Sequence, residues 1–294
     1  MTGSRAVLDR LETDRRQVET ALHRCLPPED ADPRRLHEAM RYAVFAGGKR
    51  LRPLLVLSGC RACEGRIEDM LDVAAAMELI HTYSLVHDDL PPMDDDTLRR
   101  GKPTTHVVYG EALAILVGDA LFTRAFELIA SINSPDRGDI CARVARATGS
   151  CGMVGGQVLD LEAEHHPLDR SALENVHRLK TGRLITTCVI VGGLGAGARP
   201  ESIAALETYG NALGLSFQIV DDILDVTSSD ERLGKSAGKD ARAGKATFPS
   251  LIGLDGSRRE ADRLVAEALD AVAPFGLAAD PLRYLARFVR DRDH

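Results

Sequence analysis

Eight aspartates gather in two short stretches of this 294-residue chain. "HDDLPPMDDD" at 87–96 carries Asp88, Asp89, Asp94, Asp95 and Asp96, with Arg99 and Arg100 close behind. "FQIVDDILDV" at 217–226 carries Asp221, Asp222 and Asp225. Both clusters end apolar runs, the first of them "MELIHTYSLV" at 77–86. A carboxylate at the end of a buried helix needs counter-charge, because burying an unpaired charge is costly. Protein cations can supply it, and so can metal ions. Oxygen-rich clusters suit Mg²⁺, which keeps several waters and bridges a few carboxylates to substrate phosphates. Asp221 and Asp225 stand four residues apart, so they project from one helix face and repel unless something positive lies between them. Two such helices facing across a cavity could hold a polyanion such as diphosphate through metal ions.

Basic residues extend the pattern. "GGKRLRP" (47–53) offers Lys49, Arg50 and Arg52 beside glycines at a helix start. "RRGKPTTH" (99–106) follows the first cluster, "HRLKTGRLI" (177–185) carries Lys180 and Thr181, and "LGKSAGKDARAGKATFP" (233–249) follows the second cluster with Lys235 and Lys245. Each alone reads as a solvated loop. Together they supply two kinds of anion holder, carboxylate-bound metal and direct Lys/Arg contacts. That pairing points to two diphosphates, one held through metal and one by protein cations.

The elements that must position these groups read as helices almost throughout. In 67–87, apolar residues from Ile67 to Leu85 recur near the helical period, and Ile203 to Leu224 do so in 201–225, with Pro200 placed to start the helix. Further helix-length segments fall near 5–24, 34–46, 51–63, 106–131, 139–160, 171–191, 259–272 and 281–292. There is no run of alternating strands and no linker with a shift in composition, so 1–294 reads as a single all-α domain. "GGLGAG" (192–197) lacks the G-x-G-x-x-G spacing and follows a helix, so it is expected to be a helix end.

Composition narrows the function. The net charge is −7, which disfavours nucleic acid or an anionic membrane surface as partner. The first twenty residues lack a signal peptide's apolar core, and no stretch approaches the roughly 18 apolar residues of a membrane span. Six scattered cysteines, with one lone CxxC at Cys60 and Cys63, read as reduced thiols of a cytoplasmic protein.

The ordered set "GGKRLRP", "HTYSLVHDDLPPMDDDTLRRGKPTTH", "GDAL", "GGQVLDLEAE", "KTGRLI", "FQIVDDILDV" and "LGKSAGKDARAGKATFPSL" resembles the trans-isoprenyl diphosphate synthases of the polyprenyl synthetase family. The four residues between Asp89 and Asp94 resemble the spacing of bacterial farnesyl and plant-type geranylgeranyl diphosphate synthases. The resemblance implies a helical bundle around a deep cavity, a homodimer, and head-to-tail prenyl transfer from an allylic diphosphate to isopentenyl diphosphate. It implies magnesium, three ions per site with substrate bound. Asp88, Asp89 and Asp94 resemble one metal set, and Asp221, Asp222 and Asp225 the other, with Asp225 acting through water. Asp95 and Asp96 are expected only to neutralise nearby arginines. Arg99, Lys180, Lys235 and Lys245 resemble holders of the allylic diphosphate; Lys49, Arg52, His81 and Arg100 resemble the isopentenyl diphosphate site. Thr181 and Gln218 resemble dipoles facing a carbocation. His81 alone would read as a satisfied core histidine.

Two rivals are weaker. A terpene cyclase would carry a different second motif, and a non-catalytic subunit of a heteromeric synthase would have degraded aspartates. Product length turns on Tyr83 and Ser84, five and four residues before Asp88. Position alone leaves Tyr83 and Phe122 open as the cavity floor. "HTYSLVHDD" resembles bacterial farnesyl diphosphate synthases, and that resemblance implies Tyr83 as the floor and a mainly C15 product, with C20 as the alternative.

Overall fold

The computed structural model describes residues 2–163, 168–227 and 246–292. Thirteen α-helices account for most of them: α1 Thr2–Cys25, α2 Arg34–Val44, α3 Leu51–Ala62, α4 Leu71–Asp88, α5 Thr105–Tyr109, α6 Glu111–Ser131, α7 Arg137–Thr148, α8 Met153–Glu162, α9 Arg170–His177, α10 Arg183–Gly195, α11 Pro200–Thr227, α12 Phe248–Ala271 and α13 Asp280–Asp291. The all-α class is as expected. A two-stranded antiparallel ribbon, β1 Leu98–Arg99 with β2 Lys102–Pro103, is the exception.

The centre is built from helices that are buried on every side and mostly apolar, Glu78 being a charged exception. All residues from Val73 to Ile80 of α4 and from Leu184 to Gly193 of α10 are buried, as are Pro53 to Cys60 of α3. A helix apolar all round must be enclosed by others. Accordingly α3 packs on α10 and α4, α10 on α11, α4 on α6, and α11 on α12. Tyr209 of α11, fully buried, donates its hydroxyl to the Leu282 carbonyl at 2.8 Å and ties α13 to this core.

Several helix boundaries differ from the periodic reading, mostly at glycine. The expected 106–131 helix breaks at Gly110, whose φ of 89° and ψ of 154° no helix can contain. The 139–160 segment divides between Thr148 and Met153. The 259–272 helix begins earlier, at Phe248, where Thr247 and Ser250 form a reciprocal cap. A kink at Gly253 (φ 73°) obscured that start by breaking the period. Pro200 does open α11, and "GGLGAG" does end α10.

Candidate active site

One cavity of about 620 Å³ brings both aspartate clusters together. Asp88 and Asp94 line it from the first, Asp221 from the second, with Arg52, His81, Arg99, Arg100, Lys180, Thr181 and Gln218. Residues from α4, α8, the turn before α10, and α11 thus converge although they lie far apart in the chain. Lys235 and Lys245 lie outside the described residues.

The end of α4 explains the spacing of the first cluster. Asp88 is the last helical residue. The Pro91–Pro92 pair then turns the chain, and the Asp94 N–H donates to the Asp88 carbonyl at 2.8 Å. Asp94 therefore returns to the helix end six residues later. Burial pushes the Asp88 carboxyl up to about 6; Lys180 works against that shift and Asp94 adds to it. Asp89 points elsewhere. It is buried against Arg99, whose Nε donates to it at 2.9 Å. Arg99 also pairs with Asp96 at 3.3 Å, and the Asp96 carbonyl accepts from Thr104 Oγ1 at 2.8 Å. Asp96 neutralises an arginine as expected, and its carbonyl also ties the two ends of the ribbon together.

Lys180 and Thr181 sit in a π-turn, Arg178–Gly182, between α9 and α10. An extra residue per turn redirects side chains that a regular helix would point elsewhere, and such turns concentrate at functional sites. Periodicity gave no sign of it. Gly156 of α8 makes it possible, because a Cβ there would collide with the backbone of Lys180. Lys180 Nζ donates to Asp160 Oδ2 at 2.8 Å. Asp160 and Gln157 were not singled out from the sequence, although both lie within "GGQVLDLEAE". Gln157 lines the cavity, and its Nε2 is buried without a hydrogen-bond partner.

The second cluster is split by helix geometry. Asp221 faces the cavity, and its Oδ1 lies 2.8 Å from Arg292 Nη2. Asp222 faces the other way: its Oδ2 accepts the Phe248 N–H at 2.8 Å and lies 3.3 Å from His177 Nε2. It thereby anchors the start of α12. Asp225 is buried.

Arg52, His81 and Arg100 form the basic side of the cavity. Burial, followed by the nearby Arg52 and Arg100 charges, holds His81 well below its ordinary range, so it is neutral at pH 7. His81 lines the cavity rather than the core. Arg52 Nε is buried without a partner, a donor ready for an anion. Arg100 donates to the Gly47 carbonyl, bringing the "GGKRLRP" loop against the ribbon. Lys49 is elsewhere. Its Nζ lies 5.4 Å from the Phe288 ring centroid, and it lines a separate cleft with α1 and α13 residues. Arg50 is a buried structural charge, donating to Glu78 Oε1 at 2.9 Å and Glu19 Oε1 at 2.8 Å.

Apart from the charged groups, the cavity wall is largely apolar. Tyr83 and Ser84 line it with Met93, Met153, Val154 and Leu161. The Tyr83 ring packs on Phe122 at 4.7 Å between centroids, and Phe122 on Phe126 at 5.0 Å. Tyr83 is therefore the first ring of a stack, with Phe122 behind it.

The donor set fits magnesium. Asp88, Asp94 and Asp221 supply only hard oxygens, and the burial-raised Asp88 carboxyl is an anion short of counter-charge. Among the described residues no three His, Cys, Asp or Glu side chains converge into a metal cage. Mg²⁺ does not require one, since it usually completes its shell with water and substrate phosphate.

The sequence pattern of polyprenyl synthetases matches residues 33–273. The chain is 45% identical over 267 residues to farnesyl diphosphate synthase of Bacillus subtilis, covering 89% of this chain and 90% of that one. It is 43% identical over 282 residues to geranylgeranyl diphosphate synthase of Cyanophora paradoxa, covering 94% and 93%. A geranyltransferase from Helicobacter pylori, crystallised with magnesium and isoprenyl diphosphate, superposes with a TM-score of 0.86 at 33% identity, covering 96% of each chain. The two-cluster cavity and these matches agree: the chain belongs to the polyprenyl synthetase family and is a prenyltransferase of the trans-prenyl diphosphate synthase type.

Proposed function

We propose that the protein joins isopentenyl diphosphate head-to-tail to dimethylallyl and geranyl diphosphates and makes mainly farnesyl diphosphate, C15. The observation that carries this reading is one cavity lined both by the carboxylates and cations and by Tyr83 among apolar side chains. Magnesium, when bound, supplies positive charge to the diphosphate that departs. The chain's own residues do the rest. Asp88, Asp94 and Asp221 hold the metal, with Asp89 and Asp222 fixing the chain beside them through Arg99 and the Phe248 N–H, and Asp225 acting through water. Lys180 and Arg99 bind the allylic diphosphate, and Arg52, His81 and Arg100 the isopentenyl diphosphate. Thr181 and Gln218 turn their dipoles toward the carbon that becomes positive, and the apolar wall excludes water that would capture it.

We further propose that residues 1–294 act as one domain and that three magnesium ions serve each site. The exposed Val107, Val108, Ile115 and Leu116 of α5 and α6 support a homodimer. Six free thiols support a cytoplasmic location. Among the described residues no helix is long and apolar enough to cross a membrane. A C20 product is the second reading, since relatives of both product lengths match this chain at similar identity. The test is incubation of the purified chain with dimethylallyl and isopentenyl diphosphates and Mg²⁺, with product length measured. C15 is expected, and chelation of divalent ions should abolish turnover. Activity that survives chelation refutes the metal reading; a mainly C20 product refutes the length assignment.

A further inference from the structure

Arg292 follows the last residue of α13, yet its side chain is only 8% exposed. Its Nη2 donates to the Phe217 carbonyl at 2.6 Å and lies 2.8 Å from Asp221 Oδ1. Its guanidinium carbon sits 3.8 Å from the Phe217 ring centroid, a close cation–π stack. Its Nε is buried without a hydrogen-bond partner. An arginine held in this way loses hydration and side-chain freedom, so the carboxylate it reaches must be worth reaching. That carboxylate is Asp221, 44% exposed and facing the cavity. Asp221 is also the member of the second cluster that lines the cavity.

We propose that Arg292 is a resident counter-cation of Asp221, which occupies the carboxylate until a diphosphate-borne divalent cation displaces it. This rests on the metal reading of Asp221 above. A guanidinium and a divalent cation compete for the same oxygens and repel each other at close range. The free ion alone must overcome that competition. An ion carried by diphosphate brings negative charge that offsets the repulsion and offers Arg292 a new acceptor. Arg292 therefore makes metal entry at Asp221 conditional on diphosphate. Phe217 and Arg292 couple this exchange to the end of α13, because the stacked guanidinium holds that end against α11.

The test uses the full chain and Mn²⁺ as the probe, with free Mn²⁺ followed by electron paramagnetic resonance. Without diphosphate, Arg292→Ala should bind Mn²⁺ about tenfold more tightly than wild type, and Arg292→Lys by a smaller factor, since lysine keeps the charge without the fork. With inorganic diphosphate present the advantage should shrink. In wild type, adding Mg²⁺ and inorganic diphosphate should speed amide exchange over the last turn of α13, a readout that needs no variant. Equal or weaker Mn²⁺ binding by Arg292→Ala, or unchanged exchange in α13 while diphosphate binds, overturns the role of Arg292. If wild type binds no Mn²⁺ even with diphosphate, the metal reading itself falls.

Discussion

Replacing Asp88 by asparagine should make the metal-free protein more stable while nearly abolishing its activity. Burial lifts the Asp88 carboxyl to about 6. In the unfolded chain it titrates near 3.9. The difference of about two pK units corresponds to about 3 kcal/mol of lost stability when the group is ionised. Asp88 is partly exposed, and solvent screening reduces the expected gain to about 1–2 kcal/mol. The sign follows from proton binding. The folded state binds the proton more tightly, so wild type loses stability as pH rises between about 4 and 6, and the loss is complete above 6. Asparagine carries no charge at any of these pH values. The advantage of Asp88→Asn should therefore be full at pH 7.5, roughly halved at pH 5 and gone below pH 4. Urea unfolding in a chelating buffer at pH 5 and 7.5 measures it. Turnover with Mg²⁺ should fall by roughly 10²–10³, the scale for losing one stabiliser of developing charge. A variant no more stable than wild type at pH 7.5, or a gain that does not change with pH, would falsify the claim that this carboxylate is buried short of counter-charge.

Tyr83→Ala should remove the first ring of the Tyr83–Phe122 stack and lengthen the product toward C20, read by product chromatography; an unchanged distribution means the floor lies elsewhere. Arg52→Ala should weaken isopentenyl diphosphate by roughly ten- to a hundredfold, the value of a charge-assisted contact, with little effect on the allylic KM. Equal weakening of both substrates would instead indicate one shared basic pocket. Gly156→Ala should push Lys180 out of place and lower kcat by about a hundredfold in a protein with a wild-type far-UV spectrum; near-normal turnover would show that the π-turn tolerates a Cβ beneath it.

The aspartate and basic motifs and the helices that carry them were legible in the sequence, because both are local. A helical period, a proline at a start and the identity of a carboxylate need no knowledge of the rest of the chain. The boundaries at Gly110, Gly149–Gly152 and Gly253 were misread, because apolar spacing continues across a glycine that the backbone uses to break. Direction within a motif was decided only by tertiary packing. Asp221 and Asp222 are neighbours, yet one faces the cavity and the other caps α12, since adjacent residues on a helix point about 100° apart. Lys49 and Arg52 share one motif, but Lys49 turns to Phe288 while Arg52 lines the cavity. Arg50, between them, is consumed by Glu78 and Glu19. The π-turn at Lys180 depends on the close approach of α8, and the partner of Asp221 comes from the far end of the chain. Residue type sets which chemistry is available; long-range packing selects which side chains can perform it.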